Sequence, residues 1–181
     1  MKTFKEYFES EEARETIALL PGGFKPPTKG HYNAFKYLLQ DADKGIIFIG
    51  NKERDGITAE QSKRIWEVYA KYLGKQVEVD IADVTPVRSV YEFADNNKDV
   101  NVIVGAGDKD EDVKRYSYFD KNVDKYPFVV VTKIPIQSEG ISGTKTRELI
   151  GSNIDEALNY FTPEDINETD KEVIKSILLN K

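Results

Sequence analysis

Residues 16–31 read Thr-Ile-Ala-Leu-Leu-Pro-Gly-Gly-Phe-Lys-Pro-Pro-Thr-Lys-Gly-His, and this stretch decides the fold class. Residues 16–20 form an apolar, β-rich run closed by Pro21-Gly22-Gly23, and residues 31–39 then set Ala34, Phe35, Leu38 and Leu39 on one side of a helix. A strand that feeds a helix through a glycine-rich loop is the building unit of a parallel sheet.

The same alternation recurs along the chain. Residues 46–49, 77–81, 101–104 and 128–134 read as four further strands. The runs at 16–20 and 46–49 are apolar enough to be covered on both faces, whereas 77–81 alternates with Glu78 and Asp80 and belongs nearer an edge. Helices are predicted over 58–73, opened by a Thr58-Ala-Glu-Gln61 capping box, and from Thr85-Pro86 to about Ala94, closed by Asn96-Asn97. Residues 110–118 have a weaker helical period, and 144–150, 155–161 and 172–179 complete the set, with Thr162-Pro163-Glu164 as punctuation. The expected class is α/β: an open parallel five-stranded sheet with helices on both faces and a helical C-terminal tail. In such sheets ligands bind beyond the carboxyl ends of the strands where the winding reverses. That singles out residues 21–31 and Gly105-Ala-Gly107-Asp108.

Composition narrows the chemistry. The chain has 181 residues, which at roughly 150 per domain is one domain with terminal additions. Hydrophobic residues at 39% and charged residues at 32% describe a globular chain rather than a disordered one. No apolar run approaches the roughly 18 residues of a membrane span, and the N-terminus lacks the apolar middle of a secretory signal, so a cytoplasmic protein without membrane contact is expected. Zero Cys removes disulfides, thiolate zinc sites, iron–sulfur clusters and cysteine nucleophiles, and a single His removes a multi-histidine metal site. A net charge of −6 argues against a duplex nucleic acid partner, yet a local cluster of cations can still hold a small phosphorylated ligand.

Two loops carry such clusters. In the first, Gly22 and Gly23 permit positive φ and close backbone approach, Pro26-Pro27 stiffens the turn, and Gly30-His31 opens a helix with free N–H groups. His31, Thr28, Lys25 and Lys29 would surround one phosphate; the alternative is a rigid connector with an exposed His. In the second, residues 138–147 place Ser142, Thr144 and Thr146 hydroxyls, Lys145 and Arg147 around another helix start, where simple N-capping is the alternative for Ser142 and Thr144. Two anion-ready helix starts suit a polyphosphate.

Gly22-Gly-Phe-Lys-Pro-Pro-Thr-Lys-Gly-His31 resembles the GxFxPxHxGH motif of the nucleotidylyltransferase superfamily, and Ile141-Ser-Gly-Thr-Lys-Thr-Arg147 resembles its ISSTxxR motif. The resemblance covers roughly residues 16–150. It implies a Rossmann-like nucleotidylyltransferase domain there, preceded by an appendage at 1–15 and followed by helices at 151–181 packed on the same domain. The implied reaction moves AMP or CMP from a nucleoside triphosphate, bound with Mg2+, to a small phosphorylated acceptor and releases pyrophosphate. The implied catalytic residues are His31, Thr28 and Lys29. Gly22, Gly23, Phe24, Lys25, Gly30, Gly107, Asp108, Ser142, Thr144 and Arg147 would bind the nucleotide, and no protein side chain is assigned to the metal.

The chain departs from these motifs in places. Thr28 replaces the first His, as in the TxGH of pantetheine-phosphate adenylyltransferases, and Gly143 replaces the middle Ser. Glu139-Gly-Ile-Ser142 resembles the EGIS of cytidylyltransferases, whereas Arg147 is typical of the adenylyl branch, so the base stays open.

Arg88 and Lys52, with Arg54 close by, are acceptor-phosphate candidates or solvated surface charges. Gly105-Ala-Gly-Asp108 fails as a dinucleotide fingerprint because the third glycine position is Asp110. No GxxxxGK[ST] loop is present, and Trp66 reads as a packed aromatic beside Ile65 and Tyr69. Residues 1–9 form a short amphipathic piece that is also similar to the capsid-targeting leader of internal head proteins of T-even-like bacteriophages. That similarity, with Thr28 and Gly143, motivates the alternative of a non-catalytic nucleotide-binding protein packaged in a virion interior. Self-association into a homo-oligomer stays open.

Overall fold

The computed structural model describes residues 14–135 and 140–180. Among these the strands are β1 (Thr16–Gly22), β2 (Lys44–Ile49), β3 (Gln76–Ile81), β4 (Asn101–Ala106) and β5 (Val129–Lys133). The helices are α1 (Lys29–Leu39), α2 (Ala59–Ala70), α3 (Pro86–Asn96), α4 (Asp110–Lys114), α5 (Ser117–Lys121), α6 (Gly143–Ser152), α7 (Ile154–Phe161) and α8 (Glu168–Leu179). The strands form one parallel sheet in the order β3-β2-β1-β4-β5, the expected α/β, Rossmann-like architecture. Winding reverses between β1 and β4, the position at which such a sheet leaves a crevice.

Alternation along each strand divides the core in two. Ala18 and Leu20 of β1, with Ile47 and Ile49 of β2, face α1, α2 and the C-terminal helices through Phe35, Leu38, Trp66, Tyr69, Phe161 and Ile174. Ile17 and Leu19, with Ile46, Phe48, Val102 and Val104, face Val90 and Ala94 of α3 and Tyr116 and Phe119 beyond β4. β1, β2 and β4 are thus covered on both faces, while β3 alternates between exposed and buried at the edge, as its Glu78 and Asp80 require. Trp66 is fully buried, edge-on to Phe24 and Tyr69, so it is a core residue. The C-terminal helices are tied to the same face: Gln61 Nε2 donates to the Ile177 carbonyl at 3.0 Å and Tyr32 Oη to Asp165 at 3.0 Å.

Several boundaries differ from expectation. β1 continues past Leu20 to Gly22, because its ladder with β2 runs on to Gly22↔Ile49 while that with β4 stops at Leu19↔Val104. Residues 110–118 are not one helix: α4 and α5 break at Arg115-Tyr116, where Tyr116 turns into the second core. α8 begins four residues before the expected 172, since the Asn167 side chain accepts from the Asp170 amide at 2.8 Å and caps it there. Among the described residues no helix is long and apolar enough to cross a membrane. The leader-like residues 1–9 lie outside the described residues.

Close helix–sheet packing rests on two glycines. A Cβ at Gly45 would overlap the Phe35 ring, and one at Gly105 would overlap the Leu38 methyl and come within 2.8 Å of that of Ile134. Gly45→Ala and Gly105→Ala should each lose about 1–3 kcal/mol in urea denaturation, the usual cost of overpacking. Gly151→Ala, open to space within α6, should be neutral or up to about 1 kcal/mol more stable.

Candidate functional site

A cleft of about 610 Å³ opens where the β1–β4 ladder ends, floored by Leu20, Pro21 and Gly22 on one side and Gly105 and Ala106 on the other. Pro21 cannot donate to a neighbouring strand, which suits a position past the last β4 pair. The 22–31 loop, the start of α6 and the loop after β4 wall it in.

The first loop is shaped differently from its glycine content. Neither Gly22 nor Gly23 has a positive φ; Phe24 does, at 49°. Its ring lies over Gly22, where a Cβ would come within 2.5 Å of Phe24 Cζ, and meets His31 and Trp66 edge-on at 5.0 and 5.4 Å. Burial of that ring holds a backbone conformation that a phenylalanine would otherwise avoid. Gly22 is required for the close approach, not for its own φ. Lys25 is buried, with Nζ donating to the Gly23 carbonyl at 2.6 Å and the Gly50 carbonyl at 2.7 Å, which fastens the loop to the end of β2. Burial lowers its pKa to about 8.

Thr28 caps α1 and His31 stands at its third residue. The Thr28 backbone N–H donates to His31 Nδ1 at 3.0 Å, and the Thr28 hydroxyl lies 3.1 Å from the same nitrogen. An Nδ1 that accepts a hydrogen bond carries no proton, so the neutral ring is the Nε2–H tautomer. Burial pushes its pKa down to about 4, which keeps it neutral at physiological pH. His31 lines the cleft, and in its neutral form it carries its ring proton on Nε2.

Ser142 caps α6 by accepting from the Lys145 amide at 3.3 Å, the capping role weighed for it above. The Ser142 amide donates to Tyr160 Oη at 3.0 Å, and Tyr160 donates to the Gly140 carbonyl at 2.7 Å, so α7 fixes the second loop. Arg147 lines the cleft with its side chain only 9% exposed. It donates from Nη1 to the Lys25 carbonyl at 3.1 Å and pairs through Nε with Asp55. The two motifs therefore touch directly.

Of the expected site residues, Gly22, Gly23, Phe24, Lys25, Thr28, Gly30, His31, Gly107, Asp108 and Arg147 line this cleft. Lys29, Ser142 and Thr144 do not, although Thr144 Oγ1 lies 3.5 Å from Arg147 Nη2. Arg88 pairs along α3 with Glu92, and Lys52 is exposed and not among the lining residues, whereas Arg54 is. Three lining residues beyond β4, Asp112, Arg115 and Tyr116, had no signal apart from following Gly107. At Gly107 the Asp112 carboxylate packs close against the backbone, and a Cβ there would displace it. The β2-side hairpin had one: Asp55-Gly56 is a turn dipeptide.

With its pKa near 4 in the fold and 6.5 unfolded, His31 takes up a proton on unfolding between those pH values. Its contribution is therefore present above pH 6.5 and lost as pH falls through 4. His31→Gln preserves the cap, as Gln61 does with Thr58 at 2.9 Å, but removes the titration. The stability of the wild type relative to His31→Gln should fall from pH 7 to pH 4, by no more than about 3 kcal/mol in chemical denaturation.

Comparison with known proteins bears on what this cleft belongs to. The chain superposes on a Vibrio parahaemolyticus protein named as a nicotinate-nucleotide adenylyltransferase with a TM-score of 0.63 at 16% identity, covering 88% of this chain and 98% of that one. A Plasmodium falciparum nicotinic acid mononucleotide adenylyltransferase complexed with APC gives 0.61 at 14%, covering 91% and 96%. A Francisella tularensis bifunctional NMN adenylyltransferase/ADP ribose pyrophosphatase complexed with AMP and Mn ion gives 0.57 at 17%; the match covers 92% of this chain and 49% of that one. At these identities the likeness is one of fold. No curated protein matches significantly. The sequence profile of the cytidylyltransferase-like family matches residues 19–149. Because that match spans both loops that build the cleft and more than half of the chain, the chain belongs to the cytidylyltransferase-like family.

Proposed function

We propose that the protein transfers a nucleoside monophosphate, AMP or CMP, from a nucleoside triphosphate to a small phosphorylated acceptor. The observation that carries this reading is the neutral Nε2–H of His31 in one cleft with Lys25, Arg54 and Arg147. An imidazole without charge, beside cations, suits a site that meets charge only as it develops.

In the proposed reaction an acceptor phosphate oxygen attacks the α-phosphorus, the bond to the α–β bridging oxygen breaks, and pyrophosphate leaves with that bond's electron pair. No covalent enzyme intermediate is needed, so catalysis is positioning and charge stabilisation. His31 Nε2–H donates to a non-bridging α-phosphate oxygen, an interaction that strengthens as negative charge builds there. The amides at the start of α1 add to it. Arg147 holds the β- and γ-phosphates, and Lys25 keeps the 22–31 loop in place while contributing positive charge at the phosphate end. Asp108, across the cleft, is the partner for a hydroxyl or amino group of the nucleoside.

Among the described residues no group of three or more His, Asp or Glu could hold a metal ion. In this reading a divalent cation enters with the substrate, as Mg2+ on the triphosphate with water ligands of its own. The nicotinate-nucleotide and NMN adenylyltransferases of like fold make nicotinate and nicotinamide mononucleotide the first acceptors to try.

The test is a pyrophosphate-release screen of ATP and CTP against those two acceptors, phosphopantetheine and glycerol 3-phosphate. At least one pair should turn over. In that pair His31→Ala should lower kcat on the order of a hundredfold or more with little change in triphosphate KM, because the lost interaction is made in the transition state. Tight triphosphate binding with no release from any pair would favour a non-catalytic nucleotide-binding protein instead.

A further inference from the structure

Asp55 lies in neither loop motif, yet its carboxylate ends on the guanidinium of Arg147, ninety-two residues away in sequence. The connection between β2 and α2 folds back on itself: Arg54 and Ile57 exchange both backbone hydrogen bonds at 3.0 Å. Asp55 and Gly56 form the tip with φ of 49° and 79°, a conformation open to few residue types besides Asp, Asn and Gly. This tight turn leaves Asp55 little freedom of backbone position.

Which nitrogen the carboxylate takes matters. Asp55 Oδ2 is 2.5 Å from Nε of Arg147, not from a terminal nitrogen. Nη1 donates to the Lys25 carbonyl at 3.1 Å and Nη2 reaches Thr144 Oγ1 at 3.5 Å. A guanidinium has five N–H donors. These contacts use one on each nitrogen and leave one on each terminal nitrogen to meet phosphate oxygens. The departure at Gly143 fits the same arrangement, since a Cβ there would come 3.1 Å from Arg147 Nη1 and crowd the guanidinium.

We propose that Asp55 is a positioning residue for nucleotidyl transfer: it grips Arg147 through Nε and so presents the terminal N–H groups to the triphosphate. The proposal rests on the reading of Arg147 as the β,γ-phosphate ligand. It makes a prediction opposite in sign to simple electrostatics. A carboxylate near a polyanion repels it, so if Asp55 were only a neighbouring charge, removing that charge would tighten triphosphate binding. If Asp55 positions Arg147, removing the charge weakens binding.

Asp55→Asn and Asp55→Gly both suit the turn and remove the carboxylate, and thermal melting of each confirms the fold. The full chain is titrated calorimetrically with Mg-ATP and Mg-CTP, and pyrophosphate release is followed for the productive pair. Asp55→Asn should weaken triphosphate binding on the order of tenfold, within the coupling expected of residues in one hydrogen-bond network, and leave the acceptor KM unchanged. In an Arg147→Ala background the same substitution should have no further effect on triphosphate KM, which a merely structural role would not produce. Unchanged or tighter binding by Asp55→Asn, or an effect undiminished without Arg147, overturns the proposal while leaving the functional reading standing. A wild-type chain that binds neither triphosphate overturns that reading, and the role of Asp55 with it.

Discussion

A backbone N–H can donate only to a nitrogen without a proton, and the hydrogen bond from Thr28 to His31 Nδ1 therefore sets the state of the one histidine in the chain. Three parts of the structure depend on that contact. It closes the first turn of α1, it leaves Nε2 as the protonated nitrogen of the neutral ring, and it engages the neutral form that burial favours. The residues around it serve the same geometry. Phe24 packs its ring edge against His31 at the cost of a left-handed backbone, and Lys25 ties the loop to the carbonyl of Gly50 beyond β2.

The cleft itself is a consequence of strand order. With β1 central and its β4 ladder ending three residues before its β2 ladder, the first and fourth strands end at a gap that no other strand fills. Much of what lines the gap is delivered from a strand end, the 22–31 loop from β1, Arg54 from beyond β2 and Gly107 to Tyr116 from beyond β4, and the start of α6 adds Gly143 and Arg147. The cations Lys25, Arg54, Arg115 and Arg147 converge there although the chain as a whole is acidic. A local positive site in an overall negative surface favours a small anionic ligand over a long polyanion.

Sequence periodicity carried the architecture far because it is local. The apolar 16–20 and 46–49 runs, the alternating Glu78 and Asp80, and the Thr58–Gln61 cap each report on their own element, and each element formed. The adjacency of the two motifs was also legible, from the resemblance of residues 22–31 and 141–147 to a known pair. Lateral reach was not legible. That Arg147 would touch Lys25 and Asp55 depends on where β2, β1 and α6 stand side by side, and no period encodes that. The positive φ sits on Phe24 rather than its glycine neighbours for a similar reason, since the ring's burial against Trp66 is a tertiary contact. Which basic residue near a strand end faces the cleft is likewise a tertiary matter: Arg54 lines it, whereas Arg88 pairs with Glu92 along its own helix.

Because the chain has a single histidine, long-range proton–nitrogen NMR reads the central contact without assignment ambiguity. The account predicts a ring in the Nε2–H tautomer that stays neutral until the pH nears 4, and an Nε2–H resonance that shifts when a Mg-nucleoside triphosphate is added. A histidine that titrates near 6.5 as a mixture of tautomers and is indifferent to the triphosphate would contradict it.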